Sequence, residues 1–131
     1  MATNTPGTTA RKLSTQQVHY LAKTISYTSP GGGVVGVLPA GSIIQRGITH
    51  VWTGFNDTTA DDINVGIAGE ADRYVSALDA NAAASTAFDD LANANQRVTS
   101  DQKVLWAFNA AATGDGSTGE ATIVIEYVLE E

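Results

Sequence analysis

The stretch Gly33–Phe55, GVVGVLPAGSIIQRGITHVWTGF, places the strongest constraint on the fold of this chain. It holds two β-rich runs, Val34–Leu38 and Ser42–Thr53, which are separated only by the segment Pro39–Gly41. Valine and isoleucine are stiff at χ1 and pack well on a pleated surface, so both runs favour strands. Proline fixes φ and lacks an N–H, while glycine accepts positive φ, so the separating segment predicts a tight corner.

Alternating apolar residues predict further strands on both sides of this pair. Strands are predicted over Gln16–Thr28, Ile63–Ala68, Arg73–Leu78 and Ala121–Leu129, and a hairpin is predicted from Arg97–Ser100 and Lys103–Ala111. Short strands separated by turn signals are typical of an all-β fold. We therefore predict an antiparallel β-sandwich or jelly roll of about seven to nine short strands, with an extended N-terminal arm.

Three positions carry more specific expectations. Gly47, in the middle of the long strand, indicates a bulge that switches the inward face of that strand. Trp106 and Phe108 alternate with smaller residues, so they are predicted to face the core. The pattern of Thr86 followed by Asp89 resembles a helix cap, so Thr86–Ala94 is predicted as a short helix, with an Ala/Asn loop as the alternative.

Charged residues divide the chain into two unequal parts. Residues 1–56 hold no Asp or Glu and four bases, which gives a net charge of +4. Residues 57–131 hold fourteen acids against three bases, which gives −11, and the whole chain carries −7. Such asymmetry suggests a partner. Either one sandwich mixes both parts in space, or a basic arm reaches an acidic surface on a neighbour or a scaffold.

The N-terminal residues form the predicted arm. Residues 1–15 are rich in Thr and Ala and have almost no apolar anchor except Leu13, so they cannot offset their ordering entropy alone. We therefore divide the chain into an arm, 1–15, and a β-sandwich domain, 16–131. The arm residues expected to bind a partner are Thr3, Thr5, Thr8, Thr9, Arg11, Lys12 and Leu13.

Composition excludes several classes of protein. The chain has no cysteine, so disulfides and thiolate metal sites are excluded, and synthesis in a reducing cytoplasm fits. The start, MATNTPGTTARKLST, lacks the apolar region of a signal peptide, and no stretch approaches the ~20 apolar residues that cross a bilayer. We therefore expect a soluble protein without a membrane partner. The acidic bulk argues against nucleic acid as a partner.

Nothing in the sequence indicates catalysis. The histidines, His19 and His50, fall within strand patterns and have no Ser or Cys motif beside them, so neither is expected to act as a base. Adjacent acids such as Asp89-Asp90 do not supply the separation of a glycosidase pair, about 5 to 10 Å across a cleft. We expect no enzymatic activity and no cofactor.

Loop oxygens offer the best candidate for a metal ion. Asp115-Gly116-Ser117 and Asn56-Asp57 with Asp61-Asp62 lie in polar loops, as calcium ligands often do. An EF-hand would need a regular series of acids and a later bidentate Glu, and Asp115 with Glu120 does not provide it. We therefore predict no metal site.

Several short segments carry a family resemblance. They are the corner Leu38-Pro39-Ala40-Gly41, the strand end Val51–Phe55, the pair Val65-Gly66, the triplet Asp72-Arg73-Tyr74 and the C-terminal Glu126-Tyr127-Val128. In these segments the chain resembles the capsid decoration, or cement, proteins of tailed bacteriophages that have a jelly-roll fold. The resemblance implies a virion protein that binds the outer capsid surface and cements adjacent capsomers. Its implied partners are the major capsid protein and further copies of itself, as a dimer or trimer.

Two other functions stay open. The first is another virion role, in the tail, the connector or the base of a head fibre. The second is a carbohydrate-binding sandwich, which would need exposed aromatic residues on one face. Trp52, Tyr20 and Tyr74 are the candidates, and we expect each of them to pack in the core.

Overall fold

The structure is a computed structural model, and it describes residues 17–29, 31–56, 62–108 and 116–130. Nine strands and one four-residue helix make up the described regular structure. The elements in chain order are β1 (His19–Ser26), β2 (Gly32–Leu38), β3 (Ser42–Thr53), β4 (Asp62–Ile67), β5 (Glu70–Asp79), β6 (Ala84–Ala87), α1 (Asn93–Gln96), β7 (Arg97–Val98), β8 (Gln102–Phe108) and β9 (Glu120–Leu129).

The strands form two antiparallel sheets. One sheet has the order β1-β9-β3-β6, with β7 also pairing with β3, and the other has the order β2-β8-β4-β5. Consecutive strands β1 and β2 are at the edges of different sheets, and so are β5 and β6. This arrangement is an antiparallel β-sandwich of the jelly-roll type, which confirms the predicted fold class.

The predicted corner carries the chain from one sheet to the other. Gly41 has φ of +89°, and the backbone N–H of Ser42 donates to the carbonyl of Pro39 at 3.1 Å. The Asp101 carboxylate accepts from the N–H of Ala40 at 2.9 Å, and the carbonyl of Val98 accepts from the N–H of Gly41 at 2.8 Å. The corner is therefore fixed by residues far away in sequence, and β2 and β3 are not neighbours in one sheet.

The bulge predicted in the long strand is present. The β3–β9 register shifts between Ile44 and Arg46, and the buried residues of β3 change parity there, from Ser42 and Ile44 to Gly47, Thr49 and Val51. A Cβ at Gly47 would lie 2.3 Å from the ring of Phe88, so glycine makes room for that ring. The packing of Phe88 on Gly47 holds the segment after β6 against β3.

The core lies between the sheets and is made of aliphatic and aromatic residues from eight strands. Trp106 is 3% exposed, which confirms its predicted place, and Phe108 is partly buried against Phe55 in an edge-to-face contact at 4.6 Å. The fully buried large side chains include Tyr74, Ile25, Leu38, Ile44, Ile63, Ile123 and Ile125.

Two local predictions are wrong. Arg97–Val98 does not form a hairpin with Lys103 and its neighbours: it pairs with Ser42 and Ile43 of β3, while β8 pairs with β2 and β4 in the other sheet. The predicted helix over Thr86–Ala94 is also absent, because residues 84–87 pair with β3 as strand β6 and the only described helix comes later.

The predicted arm falls outside the described residues. None of its partner-binding candidates, Thr3, Thr5, Thr8, Thr9, Arg11, Lys12 and Leu13, is described by the structure. The division into an arm and a sandwich therefore stays a prediction.

Candidate interaction surface

His50 has a hydroxyl neighbour that the sequence did not reveal. Its Nδ1 lies 2.8 Å from the Oγ of Ser85, and its ring stacks on Trp52 with centroids 5.1 Å apart. Ser85 comes from β6, a strand that was not predicted, so only the β3–β6 pairing brings the two together. A catalytic serine would also need a carboxylate or similar group to orient the imidazole. The groups that surround His50 here are a hydroxyl and an indole on an open sheet face.

His19 occupies a packing position at the other end of the same sheet. Its ring stacks on Tyr127 with centroids 5.5 Å apart, and its buried Nε2 has no hydrogen-bond partner within the part of the chain that the structure describes. This contact links the edge strand β1 to β9. It provides no nucleophile.

The loop oxygens that were weighed as calcium ligands have structural uses where they are described. The Oδ1 of Asn56 accepts from the N–H groups of Ser117 and Thr118 at 2.8 and 3.0 Å, and its Nδ2 donates to the Oγ of Ser117. Asn56 thus fastens the segment before β9 to the end of β3. Within the described ranges, no cluster of three or more His, Asp or Glu could hold a metal ion.

The described residues form three ion pairs on the surface. Arg46 makes a bidentate contact with Glu126 at 2.9 and 3.0 Å, Arg73 pairs with Glu70, and Arg97 pairs with Glu130. The hydrogen bond from Arg46 lowers the pKa of the Glu126 carboxyl. Exposed pairs contribute little to stability, so they tie strands together without marking a site.

One edge of the sandwich, formed by β1 and β2, is apolar. Exposed large hydrophobic residues gather there or in the adjoining segments: Val18, Tyr20, Tyr27, Val34 and Val37, which are 44% to 68% exposed. Residues 17–38 contain no acid and one base, Lys23. Among the described strands, β1 is hydrogen-bonded only to β9 and β2 only to β8, so each strand has an unpaired backbone edge. Unpaired edges are templates for another strand.

The opposite edge, formed by β5 and β6, is acidic and holds a groove. The groove has a volume of about 240 Å³. Its walls are Ser76–Asp79 on one side and Thr86, Ala87 and Asp89 on the other, with Val75 and Thr49 between them. Residues 62–92 carry Asp62, Glu70, Asp72, Asp79, Asp89 and Asp90, against Arg73 as the one base.

Two polar side chains at this groove, those of Thr49 and Asp79, have unfavourable surroundings. The hydroxyl of Thr49 belongs to a residue that is 0% exposed, and it has no hydrogen-bond partner among the described residues. Asp79 lies directly opposite Asp62 in the β4–β5 pair, where like charges repel, and its Oδ1 accepts from the N–H of Asn81 at 2.9 Å. A buried hydroxyl without a partner costs free energy, and a basic group in the groove would relieve the repulsion between the two carboxylates.

The wall of the groove contains a strained residue. Ala77 has φ of +50°, which is unusual for a residue with a Cβ, and its N–H donates to the Oδ1 of Asn64 at 2.6 Å. The β4–β5 register shifts at this point, between Ile63 and Val65. The bulge turns Ser76 and Ala77 out of the regular ladder and shapes the wall of the groove.

The three aromatic candidates for a sugar-binding face are placed differently. Tyr74 is buried, as expected, and accepts a hydrogen bond from Gln102; burial raises the pKa of its hydroxyl. Tyr20 and Trp52 are 68% and 54% exposed, so the expectation that they pack in the core is wrong. Sequence parity misplaced Trp52 because the bulge near Gly47 reverses the faces of β3.

No helix in the described part of the chain has the length and apolar character that a bilayer crossing requires. A scan against protein-family models finds no matching family, and a search of curated proteins finds no similar protein.

Solved structures do resemble the chain. A chain of the cyanophage Pam1 capsid asymmetric unit is 21% identical, with a TM-score of 0.71, and the match covers 98% of this chain and 96% of that one. A chain of the acid-stable capsid of Helicobacter pylori bacteriophage KHP30 is 14% identical, with a TM-score of 0.68 and coverage of 87% and 89%. A chain of the Ralstonia phage GP4 capsid is 17% identical, with a TM-score of 0.62 and coverage of 100% and 92%. The chain shares its fold with these three chains over nearly its whole length.

Proposed function

We propose that this chain is a phage virion structural protein that binds the outer capsid surface and cements adjacent capsomers. The observation that carries the proposal is the likeness, over nearly the whole chain, to a chain of a phage capsid asymmetric unit. The short segments that resemble phage decoration proteins support the same assignment. The proposal includes assembly of the protein as a homo-oligomer on the capsid exterior and its synthesis in the host cytoplasm.

The surface of the molecule suits a binding role. Its notable features are an apolar edge, an acidic edge and a sheet face. Among the described residues, the contacts of the Ser85–His50 pair on that face include no carboxylate to orient the imidazole. A cementing protein needs many modest contacts that are repeated over a closed lattice, because multivalent attachment raises the effective concentration without a new type of contact. An unpaired strand edge supplies such contacts through backbone hydrogen bonds.

The arm is the proposed gripping element. Residues 3–13, which contain Arg11 and Lys12 and no acid, are proposed to contact a neighbouring subunit. Five residues separate them from the start of β1 in the sequence. A chain segment that adds a strand to another sheet binds largely through its backbone.

Co-sedimentation with capsids tests the proposal. Purified protein is mixed with capsids that lack it, and both binding and the temperature at which the capsids lose their contents are measured. The proposal expects saturable binding to capsids and a higher temperature of content loss. Saturable binding to isolated tails or connectors, with none to capsids, would overturn the cementing role in favour of another virion role.

A carbohydrate-binding role has one observation in its favour, the exposed indole of Trp52. Its Nε1 donates to the Oγ1 of Thr122 at 2.8 Å, so hydroxyl groups lie beside the ring. Tyr20 lies four residues along β1 from Thr24, the residue that bonds Thr122, which places it ~13 Å further along the sheet. The aromatic surface is therefore narrow. Binding of the protein on a glycan array that is lost in Trp52→Ala would establish this second function.

A further inference from the structure

We propose that the groove between β5 and β6 receives the basic arm of a second copy of this chain, with Arg11 and Lys12 facing Asp79 and Asp89. This inference extends the arm contact proposed above by naming its receiver. It concerns the isolated protein, so it can be tested without capsids.

The groove has the size and shape for a segment of chain. Its volume of about 240 Å³ equals that of roughly eight water molecules at about 30 Å³ each. It lies between two edge strands, β5 and β6, each of which pairs on one side only in the described sheets. An extended segment can therefore enter between the sheets and find backbone partners on either wall.

The charge of the groups that line the groove favours a basic occupant that can also form hydrogen bonds. The Thr49 hydroxyl is buried, borders the groove and has no partner among the described residues. Asp79 and Asp89 also line it, and Asp62 faces Asp79 across the β4–β5 pair. The base closest in sequence, Arg73, is already paired with Glu70 at 2.7 Å. The described residues thus leave the carboxylates of the groove without a matching charge.

The arm has the complementary composition. Residues 1–16 contain Arg11 and Lys12, no acid, and many Thr hydroxyls that can hydrogen-bond a wall. Their short side chains and backbone groups suit a narrow groove. Among the bases of the chain, these two lie outside the described residues, and we assign them to the carboxylates of the groove.

Distance favours the arm of a second copy over the arm of the same chain. His19, the first residue of β1, is in register with Ile44 of β3, and Thr86 of β6 is in register with Thr49 of β3. Across the sheet, His19 and Thr86 are thus three strands apart. Along the strand direction, they are five residues apart. At ~4.8 Å between strands and ~3.3 Å per residue, the diagonal is about 22 Å. The seven residues from Lys12 to His19 span at most ~24 Å. The reach of the segment exceeds the diagonal by only about 2 Å, which is too short a length for the chain to pass around β6 into the groove.

Such a contact joins unlike surfaces, since the β1 end of one copy meets the β5–β6 edge of the next. A head-to-tail contact of this kind is heterologous, and a heterologous contact that closes forms a ring. Either oligomer expected from the resemblance can be built with this contact: a trimer as a closed ring, or a dimer in which two copies exchange their arms.

Cross-linking between two differently labelled copies tests the contact. The natural chain has no cysteine, so an introduced thiol is unique. A ¹⁵N-labelled Lys12→Cys copy is mixed with an unlabelled Asp89→Cys copy and treated with a short bifunctional maleimide. Mass spectrometry then measures the peptide that joins positions 12 and 89. The matched control replaces Asp89→Cys by Glu120→Cys, an exposed acid at the start of β9, away from the groove.

The proposal expects the cross-link to position 89 to exceed the cross-link to position 120 several-fold, and to disappear when Arg11 is also replaced by Glu in the Lys12→Cys copy. Equal yields at positions 89 and 120 would overturn it.

A doubly substituted Lys12→Cys/Asp89→Cys chain, diluted into an excess of the natural protein, gives a second readout. A cross-link that remains within the one chain would show that the arm enters its own groove, which contradicts the proposal.

A charge exchange checks the result without cross-linker. Asp79→Lys with Asp89→Lys should lower the sedimentation mass of the protein to that of one chain. The Arg11→Glu/Lys12→Glu protein should do the same. Mixing the two should restore an assembly, because the reversed groove again meets an opposite charge. If either variant alone keeps the natural mass, the groove is not the receiver.

Discussion

The two edges of this sandwich have opposite character. The β1–β2 edge is apolar and free of acids, and exposes Tyr20 and Val37 among others. The β5–β6 edge has exposed acids and a groove that reaches the buried hydroxyl of Thr49. Both edges consist of strands paired on one side, so backbone geometry alone does not distinguish them. The side chains of the two edges do distinguish them, and this difference indicates that each edge is suited to a different neighbour.

The comparison explains the charge division of the sequence. The acid-free first part of the chain supplies β1, β2 and β3, whereas the acidic remainder supplies the β5–β6 edge. Because β3 lies between other strands of its sheet, the contrast in charge is found at the two outer edges of the sandwich. The sequence left open whether one sandwich would mix the two parts. In the described residues both sheets mix them, because β9 lies between β1 and β3 and β8 pairs with β2; only the outer edges differ in charge.

The largest expected effect comes from the core that both edges share. Trp106→Ala removes a ring that is 3% exposed, and should lower the free energy of unfolding by ~3–5 kcal/mol. Chemical denaturation measures this loss. Near-natural stability of the variant would mean that the core does not depend on the face of β8 that we describe.

A second core substitution should affect one edge more than the other. Phe88→Ala empties the contact with Gly47 that holds the β6 segment on β3, at a cost of ~3 kcal/mol or more. Hydrogen exchange should become faster in β6 and stay unchanged in β1, because β1 is paired with β9 at the far side of the sheet. Equal acceleration in both strands would contradict the local role of Phe88.

Thr49→Val should act in the opposite direction. Valine has nearly the same shape and removes a buried hydroxyl that has no partner among the described residues. The isolated copy should therefore gain about 1 kcal/mol of unfolding free energy. Denaturation at a concentration too low for assembly measures this gain. A loss of stability would show that the hydroxyl is already satisfied within one copy.

The smallest expected effect is on how the stability of the protein depends on pH, through the Arg46–Glu126 ion pair. This pair links β3 to β9, and it lies in register with Tyr20 of the apolar edge. The hydrogen bond from Arg46 lowers the pKa of Glu126, so the stability it contributes is present above the unfolded pKa of a glutamate. It is lost as the pH falls through the lowered folded value. Glu126→Gln should thus melt slightly below the natural protein at neutral pH and level with it in acid. A difference that persists in acid would have another cause.

Sequence reasoning succeeded where local signals are strong. The corner at Gly41 and the bounds of β3 follow from turn chemistry and β-branched residues, and the parity change after Ile44 follows the signal of a mid-strand glycine. These features depend on residues within a few positions of one another.

It failed where partners are distant in sequence. The alanine-rich strand β6 has no periodicity of its own and is held by pairing with β3 and by the Phe88–Gly47 contact. Arg97–Val98 looked like one arm of a hairpin, but its two residues fit beside Ser42 and Ile43 instead. The groove could not be predicted either, because Thr49 and Asp79 meet only through the jelly-roll topology.

Binding to capsids by a protein that lacks residues 1–13 tests the central claim most directly. If these residues are a docking arm, their deletion should leave the melting temperature almost unchanged at a concentration too low for assembly, and should sharply reduce occupancy on capsids. Raised salt should weaken binding of the full chain only in part, since charges are screened beyond roughly 8–10 Å while backbone contacts persist. A truncated protein that decorates capsids at full occupancy and with unchanged affinity would contradict the arm, and would move the contact to the sandwich itself.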